Sequence, residues 1–214
     1  MEAVKKHKSN ILYLFIKRIF DIIVGLLGLI VLIPLIIFVK IAYILSGDFY
    51  TIFYSHKRIG KNGKEFRLIK FRTMVPKADK VLDDLLKDPE YYEEYNVNKK
   101  IKDDPRITKV GKILRKTSLD ETPQFRNILL GQMSLVGNRP YLPKEKEDMG
   151  KYFKDIVKTK PGLTGYWQTS GRSDISFERR LELEKYYSDN RSLLLDIKIM
   201  FKTVAVVIGA KGAN

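Results

Sequence analysis

Apolar residues are spread very unevenly along the chain. From Ile22 to Val39 the sequence reads IIVGLLGLIVLIPLIIFV, eighteen residues without a charge or a hydroxyl. At ~1.5 Å per residue, an unbroken helix of that length barely crosses a hydrocarbon core of ~30 Å. Pro34 lies inside it, removing one backbone hydrogen bond and clashing with the preceding turn, which predicts a kink or a break. Gly25 and Gly28 add local weakness. Lys5, Lys6, Lys8, Lys17 and Arg18 precede the run, and Lys40, Lys57, Arg58, Lys61 and Lys64 follow it. Cationic flanks favour the cytoplasmic side, so both ends favour the same side. A broken helix that dips in and returns satisfies that. A straight span is the alternative. A secretory signal fits worse, because the run starts late and no small-x-small cleavage site follows.

The rest of the chain alternates between short elements and turns. Residues 1–18 read as a basic, partly helical lead-in, 19–45 as the membrane segment, and SGD at 46–48 as a turn. The aromatic and β-branched stretch 49–74 surrounds GKNGK and predicts a short β-hairpin. Residues 77–95 mix Val81, Leu82, Leu85 and Leu86 with charges and tyrosines, as does an amphipathic helix. DDPR at 103–106 is a turn. Helical patterns run over 108–116 and 123–130, the second closed by Gly131. VGNRPYLP reads as a loop, and 160–174 is rich in Gly, Ser and Thr around the sole tryptophan. A helix follows over 176–187. Residues 193–208, LLLDIKIMFKTVAVVI, carry Asp196, Lys198 and Lys202 among apolar residues, which suits an interfacial or core helix better than a span. The fold class is α+β and mainly helical. It divides into a lead-in and membrane segment, 1–45, and a catalytic part, 46–214, lying on the membrane surface.

Charge narrows the partners. The chain holds 40 Lys and Arg against 25 Asp and Glu, a formal charge of +15. Such a surface attracts polyanions: nucleic acid, anionic lipid or phosphorylated substrates. With no cysteine, thiol nucleophiles and zinc–thiolate sites are excluded. His7 and His56 are the only histidines and are not at ligand spacing, so acid–base or nucleophilic chemistry rests on carboxylates. No dinucleotide fingerprint or Walker loop appears.

One stretch stands out against this background. KTSLDETPQF places Asp120 and Glu121 side by side in a segment, Arg106 to Arg139, that otherwise carries seven basic side chains and no other acid. The plain reading is helix capping: Ser118 and Glu121 match a capping box, and Pro123 suits a first helical position. The functional reading draws on Lys112, Arg115, Lys116, Arg126 and Arg139. Cations keep an aspartate ionised, an ionised carboxylate can attack phosphorus, and a neighbouring carboxylate can share a Mg²⁺ ion with substrate phosphates. With a membrane anchor, this points to phosphoryl transfer at a bilayer.

Four long segments carry a family resemblance. KRIFDIIVGLLGLIVLIPLI, KRIGKNGKEFRLIKFRTM, DDPRITKVGKILRKTSLDETPQFRNILLGQMSLVGNRP and KPGLTGYWQTSGRSDISFERRLELEKYYSDNRSLLLDIKIMFKT resemble the bacterial sugar transferases, the monotopic phosphoglycosyl transferases that initiate capsule, exopolysaccharide and O-antigen synthesis. The resemblance covers Lys17 to Thr203 in order, and suggests the minimal catalytic form of that family. It implies transfer of a sugar-1-phosphate from a UDP-sugar to undecaprenyl phosphate, with release of UMP. By match, Asp120 is the nucleophile and Glu121 its partner, both placed to hold Mg²⁺. Arg115 binds phosphate, Arg139 contacts the diphosphate or uridine, and Lys70 and Arg72 line the site. The family's anchor is a re-entrant helix–break–helix on the cytoplasmic face of the inner membrane. Lys17, Arg18 and Asp21 match its basic approach and Pro34 its break, with Ile33 in place of the usual serine. WQTSGR resembles members that transfer galactose or glucose rather than N-acetylated sugars, with Gln168 and Arg172 touching sugar or phosphate. Partners are then the donor, the lipid acceptor and the bilayer, without nucleic acid; a homodimer fits the family. The rivals are a phosphatase or UDP-releasing glycosyltransferase, and a membrane-tethered basic binding protein without catalysis.

Overall fold

The computed structural model describes residues 11–98, 101–170 and 175–208. The basic lead-in with Lys5, Lys6 and Lys8, and the candidate Arg172, lie outside the described residues.

Helix α1 runs from Ile11 to Leu45. Its buried residues are Tyr13, Asp21, Gly25, Gly28, Leu32, Val39 and Tyr43, steps of three, four or their sums. That spacing draws one stripe down one helix face. The predicted break at Pro34 is not seen: the helix continues through it. The reason lies in the stripe, since Leu32 before the proline and Val39 and Tyr43 after it join one apolar cluster with Ile52, Phe71 and Leu114. That packing outweighs a proline penalty of ~3 kcal/mol. The outward face of α1 is apolar and uncovered, with Ile30, Val31, Ile33, Ile37 and Phe38 all exposed. By length and composition α1 is the one described helix able to cross a membrane.

Strands β1 (Phe53–Ile59) and β2 (Glu65–Phe71) form the expected antiparallel hairpin, with Phe53 opposite Phe71 and Ile59 opposite Glu65. Asn62 and Gly63 take the left-handed conformation that its turn requires. On β2, Phe66 and Leu68 enter a cluster with Ile128 and Met133. Strand period two puts Lys70 on that same face, one step past the apolar pair.

The segment expected as one helix over 77–95 is two, α2 (Ala78–Leu85) and α3 (Pro89–Asn98). Asp88 and Pro89 explain the division. A residue before proline leaves the helical region, and the Asp88 carboxylate accepts the Glu90 N–H at 2.9 Å, capping the new helix. Helix α4 (Lys109–Lys116) is capped by Thr108, whose hydroxyl accepts the Gly111 N–H at 2.9 Å. Gly111 lets α4 lie on the end of β2: a Cβ there would sit 2.0 Å from the Thr73 carbonyl oxygen.

A 3₁₀ turn (Leu119–Glu121) and α5 (Gln124–Leu129) follow. The Asn127 side chain ties α5 to β2, accepting the Ile69 N–H at 3.2 Å and donating to the Arg67 carbonyl at 2.7 Å. Next come β3 (Ser134–Val136), α6 (Phe153–Ile156) and β4 (Gly162–Thr164). β3 and β4 pair in parallel, Ser134 with Gly162 and Val136 with Thr164, at two places where no strand was expected. At Gly162 a Cβ would lie 2.1 Å from the Gly137 nitrogen, so glycine is what permits the pairing.

Helices α7 (Phe177–Asn190) and α8 (Leu193–Ile208) close the chain. Asp196, buried on α8, accepts from Tyr13 at 2.9 Å, Lys17 at 2.6 Å and Tyr187 at 2.8 Å. It therefore joins α1, α7 and α8 at one point.

Candidate active site

The site begins with a reversal of the chain. After α4, Ser118 adopts φ 57°, in the left-handed region. Its side chain makes no capping bond, and α5 starts without a side-chain cap. The capping box expected from Ser118 and Glu121 does not form. Glu121 instead turns to the hairpin, where its Oε1 lies 2.5 Å from Lys70 Nζ. Asp120 Oδ2 lies 3.9 Å from the same nitrogen. The two acids thus converge on one cation presented by β2.

Their environments differ. The Asp120 side chain is only 14% exposed and that of Glu121 35%. Burial pushes the Asp120 carboxyl above the ordinary aspartate range; Lys70 pulls it back, Glu121 raises it, and Arg115 lowers it. Arg115, on the last turn of α4, is oriented by its Nε–H donating to Thr73 Oγ1 at 2.9 Å. The arrangement is a partly desolvated carboxylate with cations on two sides, suited to attack on phosphorus. Two adjacent carboxylates facing one cation are the donor set that Mg²⁺ takes in its usual mode of one or two protein carboxylates plus substrate phosphates.

A cavity of about 230 Å³ opens beside Glu121. Phe125, Leu135 and Leu163 line its apolar side, and Gln168, Thr169 and Thr203 its polar rim. Gln168 and Glu121 thus line the same cavity.

Arg139 follows β3 on a loop pinned from behind. Asn138 Nδ2 donates to the Ile156 carbonyl at 3.0 Å, Thr159 Oγ1 at 3.1 Å and Ser188 Oγ at 2.7 Å. The Arg139 N–H donates to the buried Glu184 at 2.9 Å. Its guanidinium lies 5.8 Å from the Tyr141 ring and 6.0 Å from the Trp167 ring. Arg58, from the end of β1, donates to the Pro140 carbonyl at 2.9 Å and approaches Glu145 at 3.9 Å. Burial and the Arg139 charge hold its pKa down at about 10, and Glu121 is among the charges it feels. Arg58 and Arg139 thus meet around Glu145, each 3.9 Å from its carboxylate.

Among the described candidates, Arg72 has its donors engaged away from the acidic pair. It is buried and donates to the Thr51 and Met74 carbonyls at 2.7 and 2.9 Å and to Asp48 at 2.9 Å, with its guanidinium stacked 4.6 Å from Tyr43. Its role is to bind the end of α1 to the hairpin. The anchor residues are also specifically placed. Arg18 donates to the Ile128 and Leu129 carbonyls at 2.8 Å each, satisfying the C-terminus of α5. Asp21 accepts from Ser134 Oγ and the Leu135 N–H at 2.9 Å each. Sequence reasoning did not reach Arg58, Tyr141, Arg180, Glu184 or Asp196 as site or joint residues. The only signal was an acid within an otherwise apolar face, as at Asp196.

Comparison with known proteins gives a consistent picture. The family described as bacterial sugar transferase matches residues 12–210. The exopolysaccharide production protein ExoY of Sinorhizobium fredii is 44% identical over 198 residues, covering 92% of this chain and 87% of that protein. A UDP-galactose-lipid carrier transferase of Erwinia amylovora is 42% identical over 213 residues, 97% of this chain and 43% of that protein. An undecaprenyl-phosphate galactose phosphotransferase of Salmonella typhimurium is 44% identical over 203 residues, 93% of this chain and 42% of that protein. The chain therefore spans most of the first relative and less than half of the other two.

Proposed function

The chain belongs to the bacterial sugar transferase family and is a phosphoglycosyl transferase, and from that premise we propose that it moves a hexose-1-phosphate from a UDP-sugar to undecaprenyl phosphate, releasing UMP and initiating a cell-surface polysaccharide. Transfer of a sugar phosphate to a lipid carrier is the coarse reaction, in keeping with relatives named for UDP-galactose, a lipid carrier and undecaprenyl phosphate. The observation that carries the finer reading is the acidic pair under Lys70, with Asp120 half-buried and cationic neighbours on two sides.

The steps follow from that geometry. An Asp120 oxygen attacks the sugar-bearing phosphorus; the new O–P bond forms as the bond to the bridging oxygen breaks, and UMP leaves with the electron pair. An oxygen of the lipid phosphate then attacks the phosphosugar–aspartyl phosphorus and restores the Asp120 carboxylate. Partial burial makes the carboxylate more nucleophilic, while Lys70 and Arg115 keep it ionised. Asp120 and Glu121 would hold Mg²⁺, which when bound supplies charge neutralisation on the donor's phosphates. The cavity beside Glu121 takes the hexose, its carbons against Phe125, Leu135 and Leu163 and its hydroxyls toward Gln168 and Thr169.

The protein is membrane-associated, and its anchor is α1. We infer a monotopic placement on the cytoplasmic face. Tyr13 and Lys17 at one end of α1, and Tyr43 at the other, bind the same globular body. A span would separate them.

The test is product identity. Purified protein in detergent receives Mg²⁺, UDP-galactose or UDP-glucose, and undecaprenyl phosphate. Lipid-dependent UMP, abolished in Asp120→Asn, is expected. UDP in its place means a glycosyltransferase; no UMP from any donor, N-acetylated ones included, overturns the reaction.

A further inference from the structure

Four threonines line the cavity beside Glu121, and the hydroxyl proton of each is already committed. Thr122 donates to the Leu119 carbonyl at 2.8 Å, and Thr169 to the Tyr166 carbonyl at 3.0 Å. Thr203 donates to the Ile199 carbonyl at 2.8 Å, one turn back on α8. Its proton is spent there, so in its 2.7 Å contact with Thr164 it accepts and Thr164 donates. A hydroxyl has a single proton but also accepts through its lone pairs. All four can therefore still accept, and none can donate without giving up a bond inside the protein. The backbone around them is spent too. The N–H groups of Thr122, Phe125 and Thr169 donate to the carbonyls of Leu119, Thr122 and Tyr166, and that of Leu135 to the Asp21 carboxylate.

Charge points the same way. Among the described residues, Glu121 is the only ionisable side chain in the lining. An anion finds neither a countercharge nor a free threonine proton there. Ser118 and Gln168 are the lining side chains with donors in reserve, and Ser118 is exposed. Thr164, by contrast, is 8% exposed. The occupant that fits is neutral and brings its own protons, as the hydroxyls of an unsubstituted hexose do. A hydroxyl can turn its proton toward an acceptor, whereas an amide carbonyl has none to turn. An acetamido oxygen set against Thr164 and Thr203 is left unpaired, and a buried unpaired acceptor is costly.

We propose that the Thr164–Thr203 pair determines donor specificity: it accepts the hydroxyl protons of an unsubstituted hexose and disfavours donors that carry an N-acetyl group. The back-bond from Thr203 to Ile199 sets the direction of the relay, Thr164 to Thr203 to Ile199, and so fixes the pair as an acceptor. This assignment rests on the reaction proposed above and on the hexose lying in this cavity.

The direction of the relay supplies the test. Valine has nearly the shape of threonine without the hydroxyl. Thr203→Val removes the acceptor and frees the Thr164 proton for an acetamido oxygen. Thr164→Val breaks the same bond but frees no proton, because Thr203 still donates to Ile199. UMP release is measured with UDP-glucose, UDP-galactose and their 2-acetamido counterparts. The kcat/KM values are compared within each protein, so that a general loss of activity cancels. The parent is expected to favour the unsubstituted donor by at least ~10-fold, and Thr203→Val to narrow that ratio ~10-fold, the scale of one hydrogen bond. Thr164→Val should leave the ratio near the parent's. A parent that uses N-acetylated donors as well as unsubstituted ones, or better, overturns the specificity assignment and leaves the reaction standing; that arm needs no variant. Equal narrowing in both variants, or narrowing in neither, also overturns it, since the pair then acts through packing alone or not at all. No UMP from any donor removes the reaction and the assignment together.

Discussion

Lys70 Nζ lies 2.5 Å from Glu121 Oε1 but 3.9 Å from Asp120 Oδ2, so the lysine is committed to one carboxylate and stands off from the other. Its charge nonetheless acts on Asp120, against the upward push of burial and of Glu121. Removing that charge should raise the Asp120 pKa further. The acid limb of the kcat/KM–pH profile in Lys70→Met is expected to move to higher pH, and Lys70→Arg to leave it close to the parent. An unmoved limb in Lys70→Met would mean that the titrating base of the profile is not Asp120.

The joint between α5 and β2 sets the distance from Lys70 to the acids. Asn127 is fully buried, and its amide both accepts the Ile69 N–H and donates to the Arg67 carbonyl and Gln132. Leucine fills a similar volume but strands these groups. Asn127→Leu should cost about 2–4 kcal/mol, one to two buried unpaired groups. Denaturant unfolding in detergent measures it; a loss under ~0.5 kcal/mol would show that the amide is not what holds the hairpin to the helix.

The elements legible in the sequence are those with a strong local signal. The hairpin announces itself through alternation around GKNGK, α4 through its Thr108 cap, and α7 through Ser176. Pro34 and Ser118 were misleading for the same reason: each carries a local preference that tertiary packing overrides. The stripe from Leu32 to Tyr43 carries α1 past the proline, and the Lys70–Glu121 pair takes Glu121 away from any cap. β3 and β4 are three residues each and parallel, too short for period two and paired across a long connection. The acidic pair was visible because it breaks a basic run. The arginine–aromatic cluster was not, since Arg58, Arg139, Trp167 and Arg180 meet only in the folded chain. Arg72 shows the converse, a basic residue in a motif whose donors all serve the fold.

At Gly28, α1 packs directly against Phe125 of α5. A Cβ there would lie 2.3 Å from Phe125 Cγ, the root of a ring that cannot swing clear. Gly28→Ala should cost about 1–3 kcal/mol by overpacking. The loss should shrink in a Phe125→Leu background, which opens the contact. A double-mutant cycle of unfolding free energies tests this; additive losses would mean that α1 shifts as a whole rather than pressing on Phe125.

Glu184 provides a prediction for stability rather than catalysis. Its carboxyl is 1% exposed, with Arg139 and Tyr141 from the loop and Arg180 from its own helix around it. Burial lifts its pKa to about 8 from an ordinary 4.5. The fold therefore favours the protonated acid. Between those two values the unfolded chain is ionised while the folded one still holds its proton, so rising pH favours unfolding. Stability should fall as pH climbs from about 4.5 toward about 8 and level off above, with a limiting slope of ~1.4 kcal/mol per pH unit for this group. Glutamine keeps an oxygen for the Arg139 N–H and does not titrate. Glu184→Gln should thus gain on the parent steadily between pH 5 and pH 8 and stop gaining beyond (roughly the interval between the two pKa values). Unfolding midpoints of both proteins across that range decide it: a constant gap would mean that Glu184 is ionised in the fold, with Arg139 and Arg180 compensating its charge.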